Sequence, residues 1–154
     1  MKIFKFLSTA IIMFAMSSCG NQRPSIVGLF VEESFHTPIG GSHLDFRENG
    51  SFTMVQRFSV LDFWGDERLF SVDFSGNYLI TERDEKEFIY YIVNVSTIRI
   101  RSRDSVTDSE FTNFLYNALR EELSLGFSEE IVELSDERLI TRCKDGIMTV
   151  RIRW

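Results

Sequence analysis

From Ile26 to the last residue, apolar and polar side chains alternate with a period of two, broken at short intervals by turn-forming residues. Alternation sends successive side chains to opposite faces, so it predicts half-buried β-strands. IVGLFVEESF is the first. HLDFRENGSFTMVQRFSV predicts a hairpin. In it Leu44 and Phe46 alternate with Asp45 and Arg47, and Asn49-Gly50 supplies the positive-φ residues a tight turn needs. Phe52, Met54 and Gln56 mark one face of the return strand. LDFWGDER interrupts the pattern as a loop. LFSVDFSGNYLITE resumes it, with Gly76 predicting a bulge or sharp bend. DEKE, residues 84 to 87, is a polar turn. FIYYIVNV, STIRIRSR, EEIVELS, ERLITRC and IMTVRIRW complete the strands, the last two joined by a Lys144-Asp145-Gly146 turn.

One segment has a different period. Phe111, Phe114, Leu115, Ala118, Leu119 and Leu123 recur at helical spacing and predict an amphipathic helix over residues 109 to 125. Thr107 and Glu110 have the spacing of a capping box, and Gly126 supplies the stop. Eight or nine short strands with one helix predict an all-β fold, an antiparallel up-and-down meander. Such a sheet curls closed or protects its edges. The expected form is a small barrel with the helix against its mouth or flank, and the alternative is a strongly bent open sheet over the helix.

The N-terminus follows another logic. Lys2 and Lys5 precede a short apolar run, Phe6 to Met16, and then small residues Ser17 and Ser18. This is the three-part pattern of a secretory signal peptide, and the run is too short to span a bilayer. Met16-Ser17-Ser18-Cys19 resembles the lipobox of bacterial lipoproteins. That resemblance implies cleavage before Cys19 and a diacylglycerol on its sulfur, an anchor of the strength that multiple acyl chains supply. The expected organisation is a lipoprotein signal peptide at 1–18, a lipidated tether at 19–25 and one β-barrel domain at 26–154. Gly20-Asn21-Gln22 lacks the acidic residues that resemble inner-membrane retention or surface-export signals. The expected address is the outer membrane, facing the periplasm.

Composition narrows the classes. Loss of Lys2 and Lys5 with the leader leaves 15 basic against 23 acidic side chains, so the net charge moves from −6 to −8. An acidic, exported domain is a poor nucleic-acid binder. With Cys19 lipidated, Cys143 alone makes no intramolecular disulfide, and two histidines with one thiol do not make a Cys/His zinc site. No cofactor or metal is expected. Fifteen phenylalanines point to a large aromatic core or an aromatic-lined cavity.

Four stretches, IVGLFVEESF, HLDFRENGSFTM, FSGNYLIT and IVELSDERLITRC, resemble in this order the lipocalin-like lipoproteins of Bacteroidetes-type bacteria. The correspondence runs over Gly28 to Phe30, Leu44 to Phe52, Gly76 to Ile80 and Leu134 to Leu139. Phe30 stands where that family usually has tryptophan, and the helical insert at 109 to 125 is longer than in many members. The resemblance implies a lipocalin-like barrel and a ligand cavity.

Candidate cavity residues are Phe52, Met54, Phe70, Phe74, Tyr78, Tyr90 and Tyr91, unless the barrel is filled by its own side chains. Arg99, Arg101 and Arg103 share one side of a strand, and Arg151 and Arg153 repeat the pattern on the last strand. On neighbouring strands they would form an arginine face able to grip carboxylates or phosphates, or else a solvated outer face. Phe63 and Trp64 form a lid, a membrane or partner contact, or a plug folded into the barrel end. His36 and His43 flank a Gly-Gly loop and are acid/base or metal candidates only if they converge with a third group. Cys143 is expected to be buried rather than activated, because Arg142 and Lys144 alternate away from it. No nucleophile elbow or carboxylate couple is present. The expectation is therefore a membrane-anchored, non-enzymatic lipocalin-like lipoprotein holding a small apolar ligand or lipid. The alternative is a filled barrel that docks an envelope protein through the arginine face or the aromatic loop.

Overall fold

A computed structural model describes residues 24–32, 40–103 and 109–154. The alternating segments form β1 (Gly28–Glu32), β2 (Ser42–Phe46), β3 (Ser51–Leu61), β4 (Glu67–Arg83), β5 (Lys86–Val93), β6 (Arg99–Ser102), β7 (Phe127–Leu134), β8 (Arg138–Arg142) and β9 (Met148–Arg153). The helical pattern forms α1 (Ser109–Ser124), between β6 and β7. Every pairing is antiparallel, and β9 returns to pair with β1. Eight strands, all but β6, thereby close a lipocalin-like all-β barrel. The bent open sheet does not form, because closure satisfies the backbone groups both of its edges would expose. Residues 1–23, with the expected signal peptide and Cys19, lie outside the described residues, as do His36 and Thr107 of the predicted capping box.

Turn chemistry sets the register. Gly50 takes φ +78° and donates its N–H to the Arg47 carbonyl, as the Asn-Gly signal predicts. Gly126 ends α1 at φ +69° with its N–H on the Leu123 carbonyl. The long strand β4 changes partner midway. Phe70 to Asp73 pair with β6, and Gly76 onward pairs with β5. The exchange is held where the Ser75 N–H meets Thr97 Oγ1 of a 3-10 turn, Val95–Thr97. At Gly76 a Cβ would lie 2.0 Å from the Ile92 carbonyl oxygen, so only glycine fits. The predicted bend is thus a close backbone approach at a partner switch.

The interior is aromatic. Phe30, Phe46, Phe52 and Tyr91 are fully buried with Leu44, Ile89 and Leu139. Phe46 meets Tyr78 at 4.8 Å and Phe52 meets Tyr91 at 5.1 Å, both edge to face, the arrangement favoured by ring quadrupoles. A second cluster forms where β3 and β4 rise above the barrel. There Phe70 packs with Phe111 and Leu115 of α1.

The two ends of the barrel differ. The chain enters at the lower end through residues 24–27. Arg153 closes that end, donating from Nη1 to the Val27 carbonyl at 2.8 Å and from Nη2 to the Ser25 carbonyl. Its guanidinium lies 4.7 Å from the Phe30 ring centroid. At the upper end, the start of β2, the end of β8 and the start of β9 meet the C-terminal turn of α1 and leave a cavity.

Candidate functional site

The upper cavity has a volume of about 490 Å³. Its walls are Met54 of β3, Phe74 of β4, Phe127 of β7 and Leu123 of α1. Each strand residue occupies an inward position of its alternating strand, and Met54 pairs in register with Phe74. Cys143, half-buried just after β8, also lines the space.

The floor is polar, and it comes from the last three strands. β7 presents Phe127, Glu129 and Ile131 inward, β8 presents Leu139 and Thr141, and β9 presents Thr149, Arg151 and Arg153. Arg151 pairs in register with Leu139 and with Glu32, which carries it into the interior. Its Nη1 and Nη2 each donate to a Glu129 oxygen at 3.3 Å. Nη1 also donates to Thr141 Oγ1 at 2.9 Å, and Nε donates to Ser42 Oγ at 3.0 Å. Ser42 in turn donates to Glu32 Oε2 at 3.1 Å, and the Tyr91 hydroxyl donates to Glu129 Oε2 at 3.0 Å. Nε, Nη1 and Nη2 of Arg151 thus all donate to acceptors, as a buried charge requires.

This network sets the protonation states. Burial by itself would lower the Arg151 pKa, but the raising interactions with Glu129, Tyr91 and Glu32 together outweigh it and the net shift is upward. Burial raises the Tyr91 phenol well above its ordinary range, and the Glu129 charge raises it further against the opposing pull of Arg151. Tyr91 is therefore a neutral donor and Arg151 a fixed cation.

The predicted residues are redistributed by these contacts. Met54 and Phe74 line the cavity. Phe52 is buried deeper in the core, and Phe70 belongs to the helix cluster. Tyr78 lies toward the lower end, with its hydroxyl on the Arg47 carbonyl at 3.1 Å. Tyr90 is a correction: it faces outward, and its neighbour Tyr91 points in. The register explains this, since Tyr91 opposes Tyr78 and Phe127 on the inner face.

The arginine face is a second correction. β6 pairs with β4 and β9 with β1 and β8, so Arg99 and Arg101 never meet Arg151 and Arg153. Arg101 is exposed and ion-paired to Asp73 at 2.8 Å, and Arg99 Nη1 caps the Ser96 and Ile98 carbonyls at 2.9 Å. Arg151 and Arg153 face the barrel interior, while Val150 and Ile152 face outward.

The Phe63-Trp64 loop does not plug the barrel. It is the exposed tip of the β3–β4 hairpin, where Phe63 leans on Phe111 at 5.1 Å and Phe114 at 5.6 Å. Asp62 folds this tip. Its Oδ1 accepts the Trp64 and Asp66 N–H groups and its Oδ2 accepts Arg68 Nε, all at 2.9 Å. His43 sits on β2 in register with Val31 and Val55.

Sequence reasoning missed Glu129, Thr141 and Ser42, and it placed Glu32 only beside the histidine loop. A signal for them exists: each is a polar residue at an inward position of an alternating strand. No protein-family model matches the chain, and no curated protein matches it in sequence.

Proposed function

We propose that this chain is a lipid-anchored, lipocalin-like binding protein of the cell envelope. It holds a small ligand with an apolar body at the mouth of its barrel and carries out no catalysis. The observation that supports this reading is the cavity of about 490 Å³, within the 300–1,000 Å³ range of small-molecule sites. Its apolar walls over a few convergent polar groups have the usual make-up of a binding pocket. The polar floor does structural work and offers orientation to a ligand, without a nucleophile and base in contact.

The anchor is read from Met16-Ser17-Ser18-Cys19. Residues 24–27 join the barrel at the end opposite the cavity mouth, and the proposed orientation has a lipid on Cys19 with that mouth turned away from the membrane.

The test is native mass spectrometry of the full chain released from lipid nanodiscs, before and after incubation with envelope lipid extract. An added mass that is lost on denaturation supports the binder and identifies the ligand class. A bare lipoprotein mass in both cases favours the docking alternative, for which the exposed tip of Leu61, Phe63 and Trp64 is the remaining surface.

A further inference from the structure

The Arg151–Glu129 pair at the floor of the cavity is neutralised internally, but its hydrogen-bonding capacity is not used up. A guanidinium carries five N–H donors and a carboxylate about four acceptor sites. Nε of Arg151 goes to Ser42, and the two N–H groups of Nη1 go to Thr141 and Glu129 Oε2. Nη2 makes one contact, to Glu129 Oε1. On the carboxylate, Oε2 accepts from Arg151 and from Tyr91, whereas Oε1 accepts from Nη2 alone. Among the described residues, one N–H of Nη2 and one lone pair of Oε1 therefore lack a partner. These two atoms stand 3.3 Å apart, and both of their residues line the cavity. Arg151 is 4% exposed and Glu129 9%, so the spare donor and acceptor lie side by side at a buried floor. Polar groups in such a place cost free energy until they are paired. A ligand that supplies both partners displaces water from them without losing hydrogen bonds.

The same pair sets the ligand's charge at zero. A carboxylate would place a second anion against a guanidinium that Glu129 already neutralises. An ammonium would place a second cation beside Arg151. Either one brings an uncompensated charge to a site from which water is largely excluded. The acceptors nearby are engaged or solvated: Glu32 accepts from Ser42, and Glu122 lies on the exposed surface of α1. Gln56 and Thr149, which also line the mouth, are uncharged. Above the floor the walls are apolar, with Met54, Leu123, and Phe74 edge to face with Phe127 at 6.3 Å. An uncharged group that accepts and donates through two adjacent atoms is a carboxamide. Its carbonyl takes the spare Nη2 N–H and its own N–H goes to Oε1.

We infer that the cavity selects an uncharged carboxamide carried on an apolar body. This rests on the binding-protein reading above and adds the chemistry of the ligand's polar end to it. The amide lies on Arg151 and Glu129, and the apolar body lies against Met54, Phe74 and Phe127.

Four probes on a shared indole body isolate the polar end: indole-3-acetamide, its methyl ester counterpart, indole-3-acetate and tryptamine. Titration calorimetry of the full chain in lipid nanodiscs at neutral pH, with empty nanodiscs as the blank, should find the amide tightest. Its margin over acetate and over tryptamine should be about tenfold. The ester, which accepts but does not donate, should fall between. Arg151→Met with Glu129→Leu removes the donor and the acceptor together and should bring the amide down to the ester or below. Bound amide should also slow the reaction of Cys143 with a thiol reagent, which places the ligand in this cavity. Equal binding of the four probes, tightest binding of acetate or tryptamine, an amide preference that survives the double substitution, or no binding of any at millimolar concentration overturns the inference. Envelope extract separates this from the reading beneath it. A charged lipid as the added mass keeps the binding protein and removes the carboxamide, whereas a bare mass removes the binding-protein reading whatever order the probes take.

Discussion

At the scale of single residues, the informative feature is a charged pair where hydrophobic patterning predicts none. Arg151 and Glu129 sit on different strands inside the barrel and are buried together with Thr141. Removing one member of such a pair strands the other charge, at a cost of about 3–5 kcal/mol, whereas removing both is close to neutral. Arg151→Met should therefore lower stability by about that amount in urea unfolding, and Arg151→Met with Glu129→Leu should recover most of it. Tyr91 gives a pH signature. Its folded pKa is raised by burial first and Glu129 second. A raised pKa contributes stability that is fully present below the unfolded value, about 10 for a phenol, and is lost as pH rises through the folded value. In a phenolate absorbance titration, Tyr91 should be the last of the four tyrosines to ionise, together with alkaline unfolding. Tyr91→Phe should remove that final step.

At the scale of elements, strands and turns were largely legible in the sequence, and the reason is local. Period-two alternation, Asn49-Gly50, Asp145-Gly146 and the helical spacing over 109 to 125 act within a few residues of themselves, so a linear reading finds them. The β4–β5 turn is an instructive exception. Asp84 and Glu85 both adopt positive φ, +52° and +61°, without glycine. A left-handed residue with a Cβ costs about 1–2 kcal/mol, partly offset by the greater entropy a glycine would lose. Replacing Asp84-Glu85 with Asn-Gly should raise stability by about 0.5–1 kcal/mol, measured as a higher denaturation midpoint with unchanged slope. The site was less legible than the elements. In FIYYIVNV either tyrosine could have been the inward one, and in MTVRIR hydrophobicity favours the wrong face. Those choices depend on partners such as Glu129 and Phe127, far away in sequence.

At the scale of the whole molecule, the barrel has one end that residues 24–27 enter and another that opens. The two tryptophans of the chain mark these ends. Trp154 follows β9 beside the entering strand, its N–H on the Leu29 carbonyl, and Trp64 tips the β3–β4 hairpin at the cavity end. Both are exposed. If Cys19 is acylated, residues 19–25 reach at most about 3.5 Å each from the bilayer. Brominated lipids in proteoliposomes should then quench Trp154, observed in Trp64→Phe, well above Trp64, observed in Trp154→Phe. Equal quenching, or stronger quenching of Trp64, would reverse the proposed orientation.

The sequence by itself determined the strand-forming pattern, the helix, the tight turns and the lipobox-like start, because each depends on neighbours along the chain. Tertiary structure alone decided that β9 returns to β1 and that β4 exchanges β6 for β5 at Gly76. It also decided that Arg151 and Arg153 turn inward. Alternation defines two faces of a strand but not which one is inside. That choice belongs to the closed barrel, where an arginine is stable in the interior only because Glu129, Thr141 and Ser42 converge on it from three other strands.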